Sequence, residues 1–310
     1  MAPIAEFHSN LHQGPFMISL ILCSRTGILA QDVLENITQT IGIPFELIVI
    51  DNSTSRYSIF SAYNEGIRRS KFPYLCFIHE DILFRTLNWG ELLVRHLQKE
   101  KAGILGIAGS HFTLPTIAGW GFNPSQSMHY LQRMNPNEPA ELFSVKYIAT
   151  DSDSSSATCI DGVFLAMTRE LSLNIRFDDV TFQGFHCYDQ DICMQAFILG
   201  YDNRVIFDIM IEHFSKGSFN NQWIDTAHIW LNKWRDQLPA STIKVSPEIE
   251  FDAFWTNTCW YIYILLKNRN FKKELFLEAL SYSLKPRLFP FFARIQPWRV
   301  LLWFVFKCRV

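Results

Sequence analysis

The feature that most constrains the fold is a regular alternation of apolar runs and helix-like segments over the first hundred residues. The apolar runs have the length and composition of buried strands; they are FMISLILC (16–23), FELIVIDNS (45–53), YLCFIH (74–79) and AGILGIAG (102–109). The helix-like segments between them are 28–40, 57–70 and 88–100. Strands that alternate with helices form βαβ units, so we expect an α/β fold with a mostly parallel central sheet and helices on both faces.

The pattern changes after the first hundred residues. From about 110 to 157 it gives way to Pro, Asn, Ser, Gly and Asp, which predicts a long loop of functional or mobile type. Order then returns. The elements predicted there are a strand followed by a turn (159–170), a helix that ends at Gly200 (188–200) and one further strand (203–213).

The C-terminal third reads as helical. The first helix is predicted over 220–238, and three tryptophans near one of its faces, Trp223, Trp230 and Trp234, are expected in the core. Residues 248–310 continue as helices. We therefore expect one domain over 1–218 and a C-terminal helical region over 219–310.

Charge is unevenly distributed along the chain. The formal net charge is −2, but from Lys267 onward ten Lys or Arg stand against two Glu, so this tail carries +8 and the remainder −10. A basic tail rich in aromatic residues suits an anionic membrane surface or a partner protein, and equally a terminal helix that packs on its own domain.

No apolar run is long enough for a transmembrane helix, and no basic residue precedes FMISLILC as in a signal peptide. Seven cysteines without paired spacing predict free thiols in a cytoplasmic setting.

Acidic and imidazole side chains stand where the predicted strands end. In YLCFIHEDILF the apolar run gives way to His79, Glu80 and Asp81, and ionised carboxylates inside a buried strand would need partners, so the triplet marks a strand end. Each such residue taken singly has a structural explanation as a turn former, helix cap or polar strand end. Together they form an acidic edge that suits Mn²⁺ or Mg²⁺, at the place where open α/β sheets bind ligands. The comparable positions elsewhere are Asp51, Asp189, Asp191 and His213.

Several common nucleotide-binding and catalytic motifs are missing from the sequence. There is no GxxxxGK[ST] loop and no GxSxG elbow, and the first strand is followed by Arg25, Thr26 and Gly27 where a GxGxxG loop would begin. These absences argue against a P-loop nucleotidase, a dinucleotide dehydrogenase and the commonest α/β hydrolases.

Five segments, in order, resemble the motif series of GT-A-fold glycosyltransferases of the family-two-like bacterial kind. They are VIDNSTS, SAYNEGIRRSKFPYLCFIHEDI, IDGVFLAMTRE, FHCYDQDICMQAFILGY and IEHFSKGS, and the likeness spans roughly residues 16–218. It implies a GT-A (Rossmann-like) fold in which residues 1–218 bind a nucleotide sugar and carry catalysis. In that family the Asp of the first motif, here Asp51, contacts the base or ribose of the nucleotide. The Asn-x-Gly helix, here Asn64 to Gly66, packs beneath the donor site.

The resemblance also implies a metal site. The acidic motif, usually Asp-x-Asp, reads His79, Glu80 and Asp81 in this sequence. Asp81 matches the family's metal ligand, Glu80 is assigned to the donor, and the His at the first place departs from the usual pattern. The implied cofactor is Mn²⁺ or Mg²⁺ on Asp81 and His213. Because Lys and Arg are scarce near Asp81 in the sequence, the metal is expected to carry the diphosphate of the donor.

The acceptor side of the site is assigned by the same resemblance. Asp189 takes the place of the general base, and Asp161, in the IDG turn, is assigned to ligand binding on the acceptor side. The positive end of the helix dipole is expected to keep Asp189 ionised. Asp191, roughly 200° further around the helix, is expected to be structural.

The implied activity is transfer of a sugar from a UDP- or GDP-sugar to a hydroxyl of a saccharide or lipid-linked saccharide, with inversion. By analogy the product is a bacterial surface polysaccharide, and the protein is cytoplasmic or peripheral on the inner face of the membrane. No nucleic-acid partner is expected. One alternative is a catalytically inactive protein of the same fold that binds a nucleotide or sugar. Another is a nucleotidyltransferase, but the Gly-rich, Lys-bearing loop of such enzymes is not seen after FMISLILC.

Overall fold

The computed structural model describes residues 16–282 apart from 118, 123, 136, 148–152 and 216. Its strands are β1 (Ile18–Ser24), β2 (Phe45–Asp51), β3 (Tyr74–Ile78), β4 (Ile82–Phe84), β5 (Ala102–Gly106), β6 (Ala108–Ser110), β7 (Phe112–Thr113), β8 (Gln126–Gln132), β9 (Glu141–Val145), β10 (Ser154–Ser156), β11 (Cys159–Ile160), β12 (Phe164–Thr168), β13 (Asp202–Ile206), β14 (Ile211–His213) and β15 (Ala240–Ser241). Its helices are α1 (Gln31–Thr40), α2 (Ile59–Arg69), α3 (Trp89–Leu97), α4 (Tyr188–Ile198), α5 (Asn221–Trp234), α6 (Pro247–Lys267) and α7 (Lys273–Tyr282).

The central sheet has seven strands in the order β10-β13-β5-β12-β3-β1-β2. β1 is parallel to both β2 and β3, and β13 is parallel to β5. β12 runs antiparallel between β3 and β5, and β10 runs antiparallel to β13. The predicted α/β class is confirmed. Since β1, β2, β3, β5 and β13 share one direction, their carboxyl ends lie along one edge, where such sheets bind ligands.

Helices cover both faces of this sheet, as predicted. Successive residues of β1 alternate between two core clusters: Ile21 packs with residues of α2, and Leu20 packs with residues of α1 and α3. α2 begins at a serine cap, because Ser61 N donates to Ser58 Oγ at 3.2 Å. Gly66 allows α2 to approach β1 closely, since a Cβ there would lie 2.2 Å from Ile21 Cγ2.

A second sheet has the order β11-β6-β8-β14-β4, with β9 paired to β8. Two predictions fail here. The expected long loop over 110–157 contains β7 to β10, because β8 and β9 pair with each other while Leu142 and Val145 stay exposed, so no buried apolar run marks them. The single strands predicted within 102–109, 159–170 and 203–213 are each two strands, because the chain passes there between the central sheet and the second sheet.

The C-terminal helices pack against the same core. β15 pairs with β7, and the side chains of Trp223 and Trp230 are buried while Trp234 is partly buried, which confirms that they belong to the core. The domain boundary near 218 stays a prediction. Most of the predicted membrane-binding tail, 283–310, lies outside the described residues. None of the helices described within 16–282 combines the length and apolar composition that a bilayer crossing requires.

Candidate active site

Two strand ends bring three possible metal ligands together. The turn between β3 and β4 carries His79 and Asp81, and β14 pairs antiparallel with β4 so that His213 lies opposite Ile82. His213 Nε2 is 3.7 Å from Asp81 Oδ1, and His79 Nδ1 is 4.0 Å from the same oxygen. One ligand atom from each of the three residues lies within 4.8 Å of the other two. We call His79, Asp81 and His213 the metal group.

A chain of hydrogen bonds fixes the proton of the neutral His79 ring. Tyr188 OH donates to the carbonyl oxygen of Gly162 at 2.9 Å, and the same hydroxyl lies 2.9 Å from His79 Nε2. A carbonyl oxygen only accepts, so the Tyr188 hydroxyl has used its one proton and must accept from His79 Nε2–H. The lone pair of the ring then lies on Nδ1, the atom that faces Asp81. Tyr188 was not identified from the sequence, although it directly precedes Asp189.

The metal group has the chemistry of a divalent-cation site. Burial, followed by the neighbouring His213, lowers the pKa of His79 below its usual 6.5, which favours the neutral ring that ligates metals. Two atoms each about 2.1 Å from one octahedral ion lie roughly 3.0–4.2 Å apart, close to the observed spacings. The structure brings Asp81 and His213 together as expected and adds His79, whose role the sequence left open. Metal binding by the group stays a prediction.

The turn at 161–163 links the metal group to α4. The backbone N–H of His79 donates to Val163 O at 3.2 Å. The backbone N–H of Gly162 donates to Asp189 Oδ2 at 3.1 Å, and the N–H of the residue after Asp189 donates to Oδ1 at 2.8 Å. One turn therefore contacts both the metal group and the predicted base.

The two carboxylates at the start of α4 have different partners. Burial and the nearby Asp161 raise the pKa of Asp189 to about 7. The expectation that the helix dipole keeps Asp189 fully ionised is therefore wrong near neutral pH, because desolvation and a like charge outweigh it. Asp191 is fully buried, and its Oδ1 accepts from Lys233 Nζ at 2.7 Å and from Trp234 Nε1 at 2.9 Å. Asp191 is structural, as predicted.

Asp161 is held by two hydrogen bonds. Its Oδ1 accepts from the backbone N–H of Val163 at 2.9 Å, and its Oδ2 accepts from Trp120 Nε1 at 2.5 Å. Trp120 comes from the segment 110–157, which was predicted as a long loop of functional or mobile type, and nothing in its local sequence singled this residue out. A role for Asp161 in ligand binding stays a prediction, and the structure adds that this residue holds Trp120 beside the site.

The three residues assigned to the donor have different surroundings. Asp51 is exposed at the end of β2, and hydrogen bonds from Ser53 lower the pKa of its carboxyl. Asn64 Nδ2 donates to Phe177 O at 2.7 Å, which ties α2 to a neighbouring loop. Donor contact by any of them stays a prediction.

Glu80 lies outside the metal group and pairs with Arg25. Its Oε1 accepts from Arg25 Nε at 2.6 Å, and its Oε2 from Arg25 N at 3.3 Å. Arg25 could not be expected beside Glu80 and Asp81 from the sequence, because it is far from both along the chain. The end of β1 is adjacent to the end of β3 in the sheet, and it brings Arg25 to this position.

A second group of similar residue types lies near the end of α3. His96 Nε2 is 3.0 Å from both carboxylate oxygens of Asp208, and Lys99 Nζ is 3.5 Å from Asp153 Oδ1. One ligand atom from each of His96, Asp153 and Asp208 lies within 4.8 Å of the other two. His96 is buried, and its Nδ1 has no hydrogen-bond partner among the described residues. We call His96, Asp153 and Asp208 the His96 group.

Comparison with known proteins gives one family and distant structural likenesses. Residues 21–235 match the model of a family described as glycosyltransferase-like. A search of curated proteins gives no match. Solved structures similar to the chain include A197 from STIV, with 10% identity over 64% of this chain and 86% of that one, at a TM-score of 0.38. They also include GalNAc-T7 with UDP, GalNAc and Mn²⁺, with 8% identity over 86% of this chain and 57% of that one, at a TM-score of 0.49.

Proposed function

This chain belongs to the glycosyltransferase-like family, and on that premise we propose that it transfers a sugar from a nucleoside-diphosphate sugar to a hydroxyl acceptor, with inversion. The observation that carries the proposal is that the metal group and Asp189 contact the same turn, 161–163, beyond the carboxyl end of β3. The leaving diphosphate needs positive charge and the attacking hydroxyl needs a base. This edge of the sheet offers groups for both tasks.

His79, Asp81 and His213 would hold the cation. Two imidazoles and one carboxylate favour Mn²⁺ over Mg²⁺, which prefers oxygen ligands. When bound, the cation would neutralise negative charge that develops on the leaving diphosphate. Tyr188 supports this site from outside, because the hydrogen bond to its hydroxyl orients the His79 ring.

Asp189 is the general base in this proposal. One of its carboxylate oxygens takes the proton of the acceptor hydroxyl as the hydroxyl oxygen bonds to the anomeric carbon. The bond from that carbon to the diphosphate oxygen breaks, and its electron pair leaves with the diphosphate. A single displacement inverts the anomeric centre. A pKa of about 7 suits the role, because a base works best when its pKa is near the working pH.

The finer assignments come from the family resemblance. We assign a UDP- or GDP-sugar as the donor, a saccharide or lipid-linked saccharide as the acceptor, and bacterial surface polysaccharide synthesis as the setting. The basic C-terminal tail would attach the protein to an anionic surface on the cytoplasmic face of the membrane.

The test compares two equivalent substitutions on α4. Asp189→Asn should lower turnover by about 10²–10⁴-fold, the usual contribution of a positioned base, and leave the affinity for Mn²⁺ and nucleoside diphosphate nearly unchanged. Asp191→Asn is the control: it should lower the melting temperature, because Asp191 is buried against Lys233, while the rate per folded molecule stays near that of the parent. Transfer rate, ligand affinity and melting temperature are measured on each variant.

The pH profile of the parent gives a second measurement. Asp189 is protonated below about pH 7 and cannot accept the hydroxyl proton there, so turnover should rise with pH up to about 7 and then level off. A lower melting point with near-parental turnover in Asp189→Asn would reduce Asp189 to a structural role. Nucleotide binding without transfer or donor hydrolysis in the parent would instead favour the inactive binding protein.

A further inference from the structure

The end of β1 lies between the predicted contacts for the nucleoside and the metal. In the sheet order β3-β1-β2, Asp51 ends β2 and the turn after β3 carries Asp81. Adjacent strands are about 4.8 Å apart, so these two strand ends are separated by roughly 10 Å. In a nucleoside-diphosphate sugar the diphosphate lies between the nucleoside and the sugar. A donor that spans the two strand ends would therefore place its diphosphate over the end of β1.

Arg25 stands at this position and is anchored by Glu80. The carboxylate of Glu80 accepts from both the side-chain Nε and the backbone N–H of Arg25, at 2.6 and 3.3 Å. The terminal nitrogens Nη1 and Nη2 donate to none of the residues that the structure describes, and 84% of the Arg25 side chain is exposed. The guanidinium is thus fixed along one side and has free donors at its tip.

The loop that carries Arg25 is fixed by further contacts. Ser24 Oγ donates to Ile28 O at 2.8 Å and accepts from Thr26 N at 3.2 Å. Gly27 has a φ of +79°, and a Cβ there would lie 2.7 Å from Asp51 Cγ, so the loop lies directly against Asp51. Arg25 is therefore held between the predicted nucleoside contact on one side and Glu80 on the other.

We propose that Arg25 binds the diphosphate of the donor through Nη1 and Nη2, and that Glu80 is the positioning residue that orients it. This inference rests on the proposed function. The planar guanidinium fork matches pairs of phosphate oxygens, and hydrogen bonds between charged groups are stronger than neutral ones. The Glu80 hydrogen bond, with a smaller contribution from Asp81, raises the pKa of Arg25, in keeping with a guanidinium beside the metal group. Arg25 would thus supply positive charge in addition to the cation.

The experiment compares a nucleoside diphosphate with its own nucleoside, both at saturating Mn²⁺. The diphosphate is the one among UDP, GDP, ADP, CDP and dTDP that most stabilises the parent in a thermal-shift screen. Arg25→Ala should weaken diphosphate binding about ten- to a hundredfold in calorimetry and change nucleoside binding by less than about twofold. Arg25→Lys should recover part of the loss, because an ammonium supplies charge without the fork.

Two further variants serve as controls. Arg95 is another exposed arginine paired with a glutamate, Glu91, but on α3, so Arg95→Ala should bind the diphosphate as the parent does. Glu80→Gln keeps an oxygen that can accept from Arg25 but loses the charge, so it should weaken diphosphate binding less than Arg25→Ala and leave nucleoside binding unchanged.

The outcomes separate this inference from the proposed function. A parent that binds no nucleoside diphosphate with Mn²⁺ would remove the proposed function itself. If the parent binds and Arg25→Ala binds equally well, or loses nucleoside and diphosphate to the same extent, Arg25 does not recognise the diphosphate. A larger loss in Glu80→Gln than in Arg25→Ala would mean that Glu80 acts directly on the ligand, which overturns its role as a positioning residue.

Discussion

The metal group and the His96 group contain the same kinds of side chain, yet their hydrogen bonds differ. In the metal group, His79 Nε2 bonds outward to Tyr188, and Oδ1 of Asp81 lies 3.7 Å from His213 Nε2 and 4.0 Å from His79 Nδ1. In the His96 group, the nitrogen that faces the carboxylates already lies 3.0 Å from both oxygens of Asp208. Among the described residues no hydrogen bond joins a histidine of the first group to its carboxylate, although His213 Nε2 lies 3.3 Å from Ser215 Oγ. In the second group His96 is already bonded to the carboxylate of Asp208.

The difference lies in the nitrogen on the other side of each ring. A histidine that ligates a metal usually donates its other N–H to an acceptor, and Tyr188 is that acceptor for His79. If His96 Nε2 held a metal, its proton would have to move to Nδ1, which is buried without a partner among the described residues. An unsatisfied buried N–H costs about 1–3 kcal/mol. Residue types alone therefore do not distinguish a metal site from a hydrogen-bonded pair; the outer hydrogen bond does.

The largest expected effect comes from making the same substitution in both groups. Asp81→Asn removes a ligand charge from the metal group and should weaken Mn²⁺ binding by about a hundredfold or more, beyond the 10–100-fold typical of losing an outer-shell partner. Asp208→Asn should leave Mn²⁺ affinity unchanged. Free Mn²⁺ is measured by electron paramagnetic resonance during titration of each variant. If Asp208→Asn lost Mn²⁺ affinity and Asp81→Asn kept it, the His96 group would be the metal site and the metal group would not.

The second prediction concerns the hydroxyl that fixes His79. Tyr188→Phe keeps the buried ring, which packs against Phe60 and Tyr63, but removes the acceptor for His79 Nε2–H. Mn²⁺ affinity should fall by about 10–100-fold. Tyr74→Phe removes another tyrosine hydroxyl, one that accepts from Gln98, and should have no effect on Mn²⁺. Parental affinity in Tyr188→Phe would contradict the assigned tautomer.

The third prediction is a smaller effect, the pH dependence of Mn²⁺ binding by the parent. Burial and His213 lower the pKa of His79 below 6.5, so the ring is neutral at pH 7 and above and protons do not compete there. The Mn²⁺ affinity should be constant between about pH 8 and pH 7. At pH values under about 6.5 it should decrease roughly tenfold per pH unit for each proton that the metal displaces. Calorimetric titrations across this range measure it. A decline that begins above pH 7 would mean that the ring charges more easily than its burial implies.

The sequence contained enough to predict the strand-end residues but not their protonation. Asp81 and His213 could be identified as strand-end residues because apolar runs precede them. What brings them together is the antiparallel pairing of β4 with β14 in the second sheet, which the sequence did not show. The state of His79 depends on Tyr188, which is 109 residues away in the chain. The raised pKa of Asp189 likewise depends on burial and on Asp161, so a helix-dipole argument from the sequence gave the wrong direction.

Other features were missed because their stabilising contacts are non-local. The hairpin of β8 and β9 has polar and exposed positions that lack the apolar run of a buried strand, and it is recognisable only from its pairing. Trp120 is placed by its bond to Asp161 and Arg25 by its bond to Glu80. In each case the local sequence is compatible with an ordinary loop, and the fold decides which distant partner the side chain meets.

The last prediction concerns stability in place of metal affinity. Here the larger effect is expected from the His96 group, the reverse of the first prediction. Asp208 and Asp81 are similarly exposed, 29% and 27%, but Asp208 is a close partner of a buried histidine whereas the Asp81 carboxylate is 3.7 and 4.0 Å from its two histidines. Without metal, Asp208→Ala should leave His96 with neither ring nitrogen bonded among the described residues, at a cost of about 1–3 kcal/mol in the free energy of unfolding. Asp81→Ala should change it by less than about 0.5 kcal/mol, as for an ordinary surface substitution. Urea unfolding in EDTA measures both. If Asp81→Ala proves the more destabilising variant, the metal group is itself a structural hydrogen-bonded cluster and the contrast between the two groups fails.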